Sequence, residues 1–216
     1  MRVTHLGHSC LLVEAGGARV LIDPGTLARG WETVGDLDAV LVTHAHPDHV
    51  DEEKLPQLLE VNSGAALLTE PELAAEMAKV GIEASPLRPG DTVDLGGLTV
   101  TGEGGRHAVI HEEIPRIGNV GMLLRADGEP TLFHPGDAVE YAPEGVDVLA
   151  VPVNAPWCAL KETIGFTRAV APRLAAVPIH DGLLADAGRA VYLRQLAALG
   201  GAELRDLRGA GATELG

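Results

Sequence analysis

An α+β fold, with β-sheets packed together and covered on the outside by helices, is predicted by two features of the sequence. Short strand-like blocks recur in pairs around turn-forming glycines, and four segments with apolar residues spaced at three and four are interleaved with them. A hydrophobic fraction of 46% over 216 residues supplies an ordinary core, so one domain spanning residues 1–216 is expected. In chain order, residues 10–15 and 18–22 flank Gly16-Gly17 and read as a hairpin, because glycine tolerates positive φ. Residues 39–42 form a continuous apolar run, as expected of a strand buried on both faces. Helices are expected at 52–61 and 71–80, followed by a second hairpin of 91–95 and 98–102 around Gly96-Gly97. A third pair, 119–126 and 131–134, flanks Asp127-Gly128, and 146–153 is a second doubly buried strand. Helices at 161–171 and 186–199 complete the pattern. In the last, Ala187, Val191 and Leu193 or Arg194 alternate with Leu196 and Leu199, leaving Arg189 and Gln195 for solvent. The order of strands within the sheets is left open by the pattern.

Charge narrows the function. Sixteen Lys and Arg against thirty-one Asp and Glu give a net charge of −15, a field that repels nucleic acid and anionic membrane surfaces. Neither is expected as a partner, and homo-oligomerisation is left open. The first fifteen residues lack a signal peptide's continuous apolar core, and no run is long enough to span a bilayer. Cys10 and Cys158 make no disulfide framework, so a reducing, cytoplasmic setting is expected.

Chemistry is concentrated directly after the apolar run at 39–42, in Thr43-His44-Ala45-His46-Pro47-Asp48-His49. Imidazole nitrogens and a carboxylate suit a borderline cation such as Zn²⁺, and a loop leaving a rigid strand aims alternate side chains at neighbouring points. A histidine-rich turn in solvent is the plain alternative, but such turns rarely follow a fully apolar strand.

This segment resembles the metallo-β-lactamase-fold superfamily, whose hydrolytic members carry His-x-His-x-Asp-His at the end of a core strand. The resemblance implies a four-layer αββα sandwich, and it demands a further histidine, then a metal-bridging aspartate, then a final histidine. The chain offers His107 in Gly105-Arg106-His107, Asp137 in His134-Pro135-Gly136-Asp137, and His180 in Pro178-Ile179-His180-Asp181-Gly182, in that order. Alone, His107 reads equally well as a loop histidine, Asp137 as a turn residue and His180 as a polar residue flanking a helix; His107 and Asp137 follow predicted strands. Carried over, the resemblance places His44, His46 and His107 on one metal and Asp48, His49 and His180 on the other, with Asp137 between them. It implies a binuclear centre of two divalent ions, zinc first and manganese or iron as alternatives. A hydroxide bridging them is the implied nucleophile, and Asp48 is the residue that orients it.

Around this set, Asp23 in Leu21-Ile22-Asp23-Pro24-Gly25 is a candidate support for a ligand histidine, or an ordinary turn residue. His8 in Gly7-His8-Ser9, His111 and Trp157 are candidates for the substrate pocket, although core packing is the better reading of Trp157. Arg116, His134 and Asn154 lie near the motifs in sequence, and Cys158 is expected to be idle.

The early Gly-His-Ser, the His-Pro-Gly-Asp and the Pro-Ile-His-Asp-Gly are most similar to the short branch related to ascorbate-6-phosphate lactonase. That implies hydrolysis of an ester, lactone or phosphoester in a small molecule, although insertions for a phosphate pocket are missing. The redox flavodiiron branch has Glu where this chain has His46. A nuclease would want a basic platform, which is not visible. A mononuclear iron persulfide-type dioxygenase and a catalytically silent metal-binding module remain as alternatives.

Overall fold

Glycine turns set the strand pairing in the first half of the chain. In the computed structural model, which describes residues 1–216, β1 (Arg2–Gly7), β2 (Cys10–Ala15) and β3 (Ala18–Ile22) form an antiparallel meander. Gly16 and Gly17 close its second turn with φ of 59° and 82°, the left-handed backbone that glycine enters without a Cβ penalty. β4 (Ala39–Val42), β5 (Ala66–Thr69) and β6 (Ser85–Pro86) then add in parallel, each beside the strand before it. Helices α1 (Leu55–Val61) and α2 (Pro71–Lys79) make the crossovers. Pro71 opens α2, and the Glu70 carboxylate accepts the Glu72 and Leu73 amides that a helix start leaves unpaired. With β13 (Thr213–Glu214) beside β1, the order is β13-β1-β2-β3-β4-β5-β6.

The second sheet is built the same way. β7 (Thr92–Asp94), β8 (Leu98–Arg106), β9 (Gly118–Ala126) and β10 (Leu132–His134) pair antiparallel. β11 (Val148–Pro152) and β12 (Ala175–Ile179) follow in parallel, connected by α3 (Leu160–Val170), and α4 (Asp186–Leu199) comes after β12. The resulting order is β12-β11-β10-β9-β8-β7.

Alternation along the strands sorts the apolar residues into three cores, which is what makes the molecule four layers deep. Leu11, Val13, Val20, Ile22 and Leu41 face Val100, Val120, Met122, Leu124 and Val148 between the sheets. Leu12, Leu21, Val40 and Val42 point the other way, onto Trp31, Leu55, Leu58, Leu73 and Met77 beneath α1 and α2. On the far side Leu123, Phe133, Leu149 and Val151 meet Phe166, Val170 and Leu196 of α3 and α4. The αββα sandwich implied by the sequence is therefore the observed fold.

Two expectations need correction. Helix α1 begins at Leu55 rather than at residue 52, because the amides of Glu53 and Lys54 turn back onto the Asp51 carboxylate. In α4 the solvent pattern is partly inverted: Val191 and Leu199 are exposed, while Arg189 is drawn inward by Asp181 and Asp206. No helix is long and apolar enough to cross a membrane.

Candidate metal centre

Strands from both sheets end at one edge of the sandwich, and the predicted ligands leave from those ends. β4 releases His44, His46, Asp48 and His49; β8 releases His107; β10 runs into the turn bearing Asp137; β12 delivers His180. The sheets are sewn together there by backbone bonds from Val120 N to Thr43 O and from His180 N to His8 O, both 2.9 Å. His8 follows β1 and Asp23 follows β3. The side chains gather as two groups, His44, His46, His107 and Asp137, and His8, Asp48, His49 and His180, each with its donor atoms within 4.8 Å of one another.

Asp137 lies at the meeting point. Its Oδ2 stands 3.7, 3.4 and 3.3 Å from Nε2 of His44, His107 and His180, and its Oδ1 stands 3.0 Å from Nε2 of His49. The last pair is close but out of hydrogen-bond alignment, and Nε2 of His49, His107 and His180 and Oδ1 of Asp137 are all buried without a hydrogen-bond partner. Such atoms cost free energy unless something occupies the space between them. The opposite ring nitrogens are, by contrast, all held. His49 Nδ1 donates to Asp23 Oδ2, His107 Nδ1 to the Ala108 carbonyl and His180 Nδ1 to the Asn154 carbonyl, each at 2.6 Å. A proton fixed on Nδ1 leaves the Nε2 lone pair pointing inward, which is the tautomer a metal ligand needs. The residues present thus fit a divalent cation bound by nitrogen and carboxylate oxygen.

A family model described as beta-lactamase superfamily domain matches residues 2–180, from the first strand to the last histidine of the cluster. The chain belongs to the beta-lactamase superfamily. One relative, Protein Rv0786c of Mycobacterium tuberculosis, is 46% identical over 197 residues, 91% of each chain. A UPF0173 metal-dependent hydrolase from Methylobacterium nodulans is 30% identical, covering 84% of this chain and 85% of its own. Among solved structures, the metallo-beta-lactamase fold protein YhfI from Bacillus subtilis superimposes with a TM-score of 0.76 at 17% identity, over 100% of this chain and 98% of its own.

In this superfamily member, burial and charge pull the centre's titrations apart. Burial, joined by the neighbouring His49, takes His44 well below the ordinary histidine range. Burial acts on His49 in the same sense, yet Asp137 and Asp23 together outweigh it and raise that histidine well above the ordinary value. For Asp137, burial works to raise the pKa, but His49, His180 and His44 prevail and it is lowered well below the usual carboxylate range.

The remaining candidates divide. Asp23, fully buried, accepts from Thr43 N and Thr43 Oγ1 at 2.8 Å as well as from His49, so its carboxylate supports a cluster histidine as well as ending a strand. Trp157, expected in the core, instead stands half-buried at the centre, its indole N–H donating to Asp137 Oδ2 at 2.9 Å. His111 does not reach the centre: it is exposed, and its Nδ1 accepts the Glu113 amide within its own loop. His134 is buried as a tie, with Nε2 donating to the Ser9 carbonyl and Nδ1 accepting from Gly136 N. Two contributors escaped the sequence reading. Thr43 Oγ1 lies between Asp23 and His44 Nδ1, and buried Asn119 accepts the Asp137 amide at 2.9 Å while donating to the Pro135 carbonyl at 3.0 Å. Gly136, with φ of 61°, permits that turn, since a Cβ there would run into Asn119 Oδ1 and Thr43. Larger grooves exist elsewhere, one of about 680 Å³ beside α1, but it holds no residue of the cluster.

Proposed function

We propose that this metal-dependent hydrolase of the beta-lactamase superfamily cleaves an ester, lactone or phosphoester bond in a small substrate at a binuclear centre. The observation that carries the reading is the set of buried, unpartnered Nε2 atoms converging on Asp137 from both sheets. His44, His46 and His107 would hold one ion and Asp48, His49 and His180 the other, with Asp137 shared because a carboxylate between two cations offsets their repulsion. When bound, the ions, zinc first and manganese or iron as alternatives, would supply a hydroxide at neutral pH and a Lewis-acid contact to the substrate oxygen. The chain's own residues do the rest. Asp48 has one oxygen engaged by His8 at 3.0 Å, which leaves the other to orient the nucleophile. Trp157 and Asn119 hold Asp137 in place from the side chain and from the backbone.

A net charge of −15 supports a small substrate over nucleic acid, and two free, buried cysteines fit a reducing, cytoplasmic setting. Elemental analysis together with a panel of esters, lactones and phosphoesters tests the reading. Close to two transition-metal ions per chain are expected, and a single iron at saturation would favour the dioxygenase alternative. Asp137→Asn should lose metal from at least one site and at least about a hundredfold in turnover. Exposed Asp127, in the β9–β10 turn, is the matched control, and Asp127→Asn should behave as wild type. Two retained metals and normal turnover in Asp137→Asn would remove Asp137 from the centre.

A further inference from the structure

Asp23, Thr43, His44 and His49 are all fully buried, so the protein, not solvent, decides where their protons lie. Asp23 is held at a left-handed φ of 49°, a backbone conformation that Asp tolerates better than most residues. Its Oδ1 accepts the Thr43 amide at 2.8 Å. Its Oδ2 accepts the Thr43 hydroxyl at 2.8 Å and His49 Nδ1 at 2.6 Å.

A threonine hydroxyl has one proton, and an ionised carboxylate can only accept. Asp23 therefore claims that proton, and Thr43 Oγ1 is left with lone pairs towards His44 Nδ1, 3.0 Å away. The bond between them forms only if His44 carries its own proton on Nδ1. His44 Nε2 then keeps its lone pair, and the contact with His46 Nδ1 at 3.1 Å admits it as the acceptor. The reverse tautomer would hand the Thr43 proton to His44 and leave the Thr43 and Asp23 oxygens facing each other at 2.8 Å with no proton between them.

Resting on the two metal groups assigned above, we infer that Asp23 sets the proton on one ligand histidine of each group, His49 directly and His44 through the Thr43 hydroxyl. One buried carboxylate thereby prepares both sites, although it hydrogen-bonds only one of their histidines. Asp23 and Thr43 are positioning residues, since they act through those rings.

Asp23→Asn is the sharpest test. The Thr43 amide holds the carbonyl oxygen of the new side chain, so its NH2 falls where Oδ2 was and donates to Thr43 Oγ1. The hydroxyl proton then turns to His44 Nδ1, and the His44 proton moves to Nε2. Nitrogen NMR of the metal-free protein with isotopically labelled histidine reads this, with His44→Gln to assign the signal. Wild type and Thr43→Ser should show His44 protonated on Nδ1, and Asp23→Asn on Nε2. Thr43→Val removes the hydroxyl and keeps the shape, so it should also move the proton to Nε2. Zinc competition against a graded chelator reads the consequence. Asp23→Asn should weaken both stepwise affinities about 10- to 100-fold and Thr43→Val chiefly one of them, with Thr43→Ser restoring it.

His44 protonated on Nε2 in wild type, or Thr43→Val with wild-type tautomer and affinities, overturns the relay. Thr43→Ser behaving like Thr43→Val overturns it by assigning Thr43 to packing, and weakening of only one zinc by Asp23→Asn confines the carboxylate to its own histidine. Should Asp23→Asn fail to fold, the two Thr43 variants decide alone. A single zinc at saturation in wild type would remove the second site and the shared role of Asp23 with it. None of these readouts uses turnover: the expected tautomers and affinities in a protein that hydrolyses nothing would keep the relay and sink the hydrolase reading.

Discussion

His8 reaches the centre from outside the histidine-rich segment, at a left-handed φ of 50° that histidine tolerates better than most residues. Its Nδ1 accepts the Gly182 amide at 3.1 Å, so the ring proton sits on Nε2, 3.0 Å from Asp48 Oδ2. A protonated nitrogen has no lone pair for a metal. His8 is therefore a donor to Asp48, although it lies in the same tight group as Asp48, His49 and His180. Burial works against the Asp48 carboxylate, yet the His8 hydrogen bond and nearby His49 outweigh it and lower its pKa to about 2. Replacing His8 by Leu should weaken metal at the Asp48 site about 10- to 100-fold, the range typical of lost supporting hydrogen bonds, while His8→Gln, which keeps an N–H donor, should recover much of the loss. Competition with a graded chelator reads both. Equal losses in Leu and Gln would mean that His8 only fills space. At this scale the sequence was most informative about groups whose chemistry is narrow: clustered His and Asp announce themselves. Thr43 and Asn119 did not, because an ordinary Thr or Asn becomes part of a centre only when another strand's end is brought against it.

Elements were legible where a local device marks them. The Gly16-Gly17 turn fixes β2 and β3, and the run Ala39–Val42 is bounded by polar residues on both sides. β5 and β12 were missed because a run as short as Ala66–Thr69, or one as rich in alanine as Ala175–Ile179, carries no period of two; what makes them strands is the parallel neighbour that accepts them. In α4 the apolar period misled because a charge network overrides it. Arg189 Nε meets buried Asp181 at 2.5 Å, and its two Nη atoms meet Asp206 at 2.7 Å. Asp206 has its pKa lowered, chiefly by the hydrogen bond from Arg189. A carboxylate depressed in the folded state contributes stability above its unfolded pKa of about 3.9 and loses it as the pH falls through the folded value. Arg189→Met should therefore destabilise by about 2 kcal/mol at neutral pH, since Asp181 keeps only Arg208 at 3.5 Å. The deficit relative to wild type should stay constant down to about pH 5 and shrink below about pH 4. Calorimetry across that range checks it; a deficit independent of pH would assign Arg189 to packing alone.

For the whole molecule, the consequence of the architecture is that the centre and the fold are built from different residues. None of the three apolar cores contains a cluster histidine or aspartate. The cluster instead spans the open edge between the sheets, taking His44, His46, Asp48 and His49 from one and His107, Asp137 and His180 from the other. An ion bound as proposed would join groups from both sheets, so its removal should loosen that edge without dissolving the cores. Chelation should then leave the far-UV circular dichroism nearly unchanged. The melting temperature should nevertheless fall, because a ligand that binds only the folded state at a thousand times its Kd adds about 4 kcal/mol. In a chain of 216 residues that corresponds to a shift of roughly 10 °C. Amide exchange should quicken at residues 43–49, 107–117 and 180–184, while the amides of β2, β4 and β11 keep their protection. The unpartnered nitrogens around Asp137 are the reason to expect local rather than global loosening: they destabilise the empty edge, and the apolar layers behind them do not depend on it. Loss of protection throughout both sheets on chelation would show that the metals hold the sandwich together and that the cores are insufficient alone.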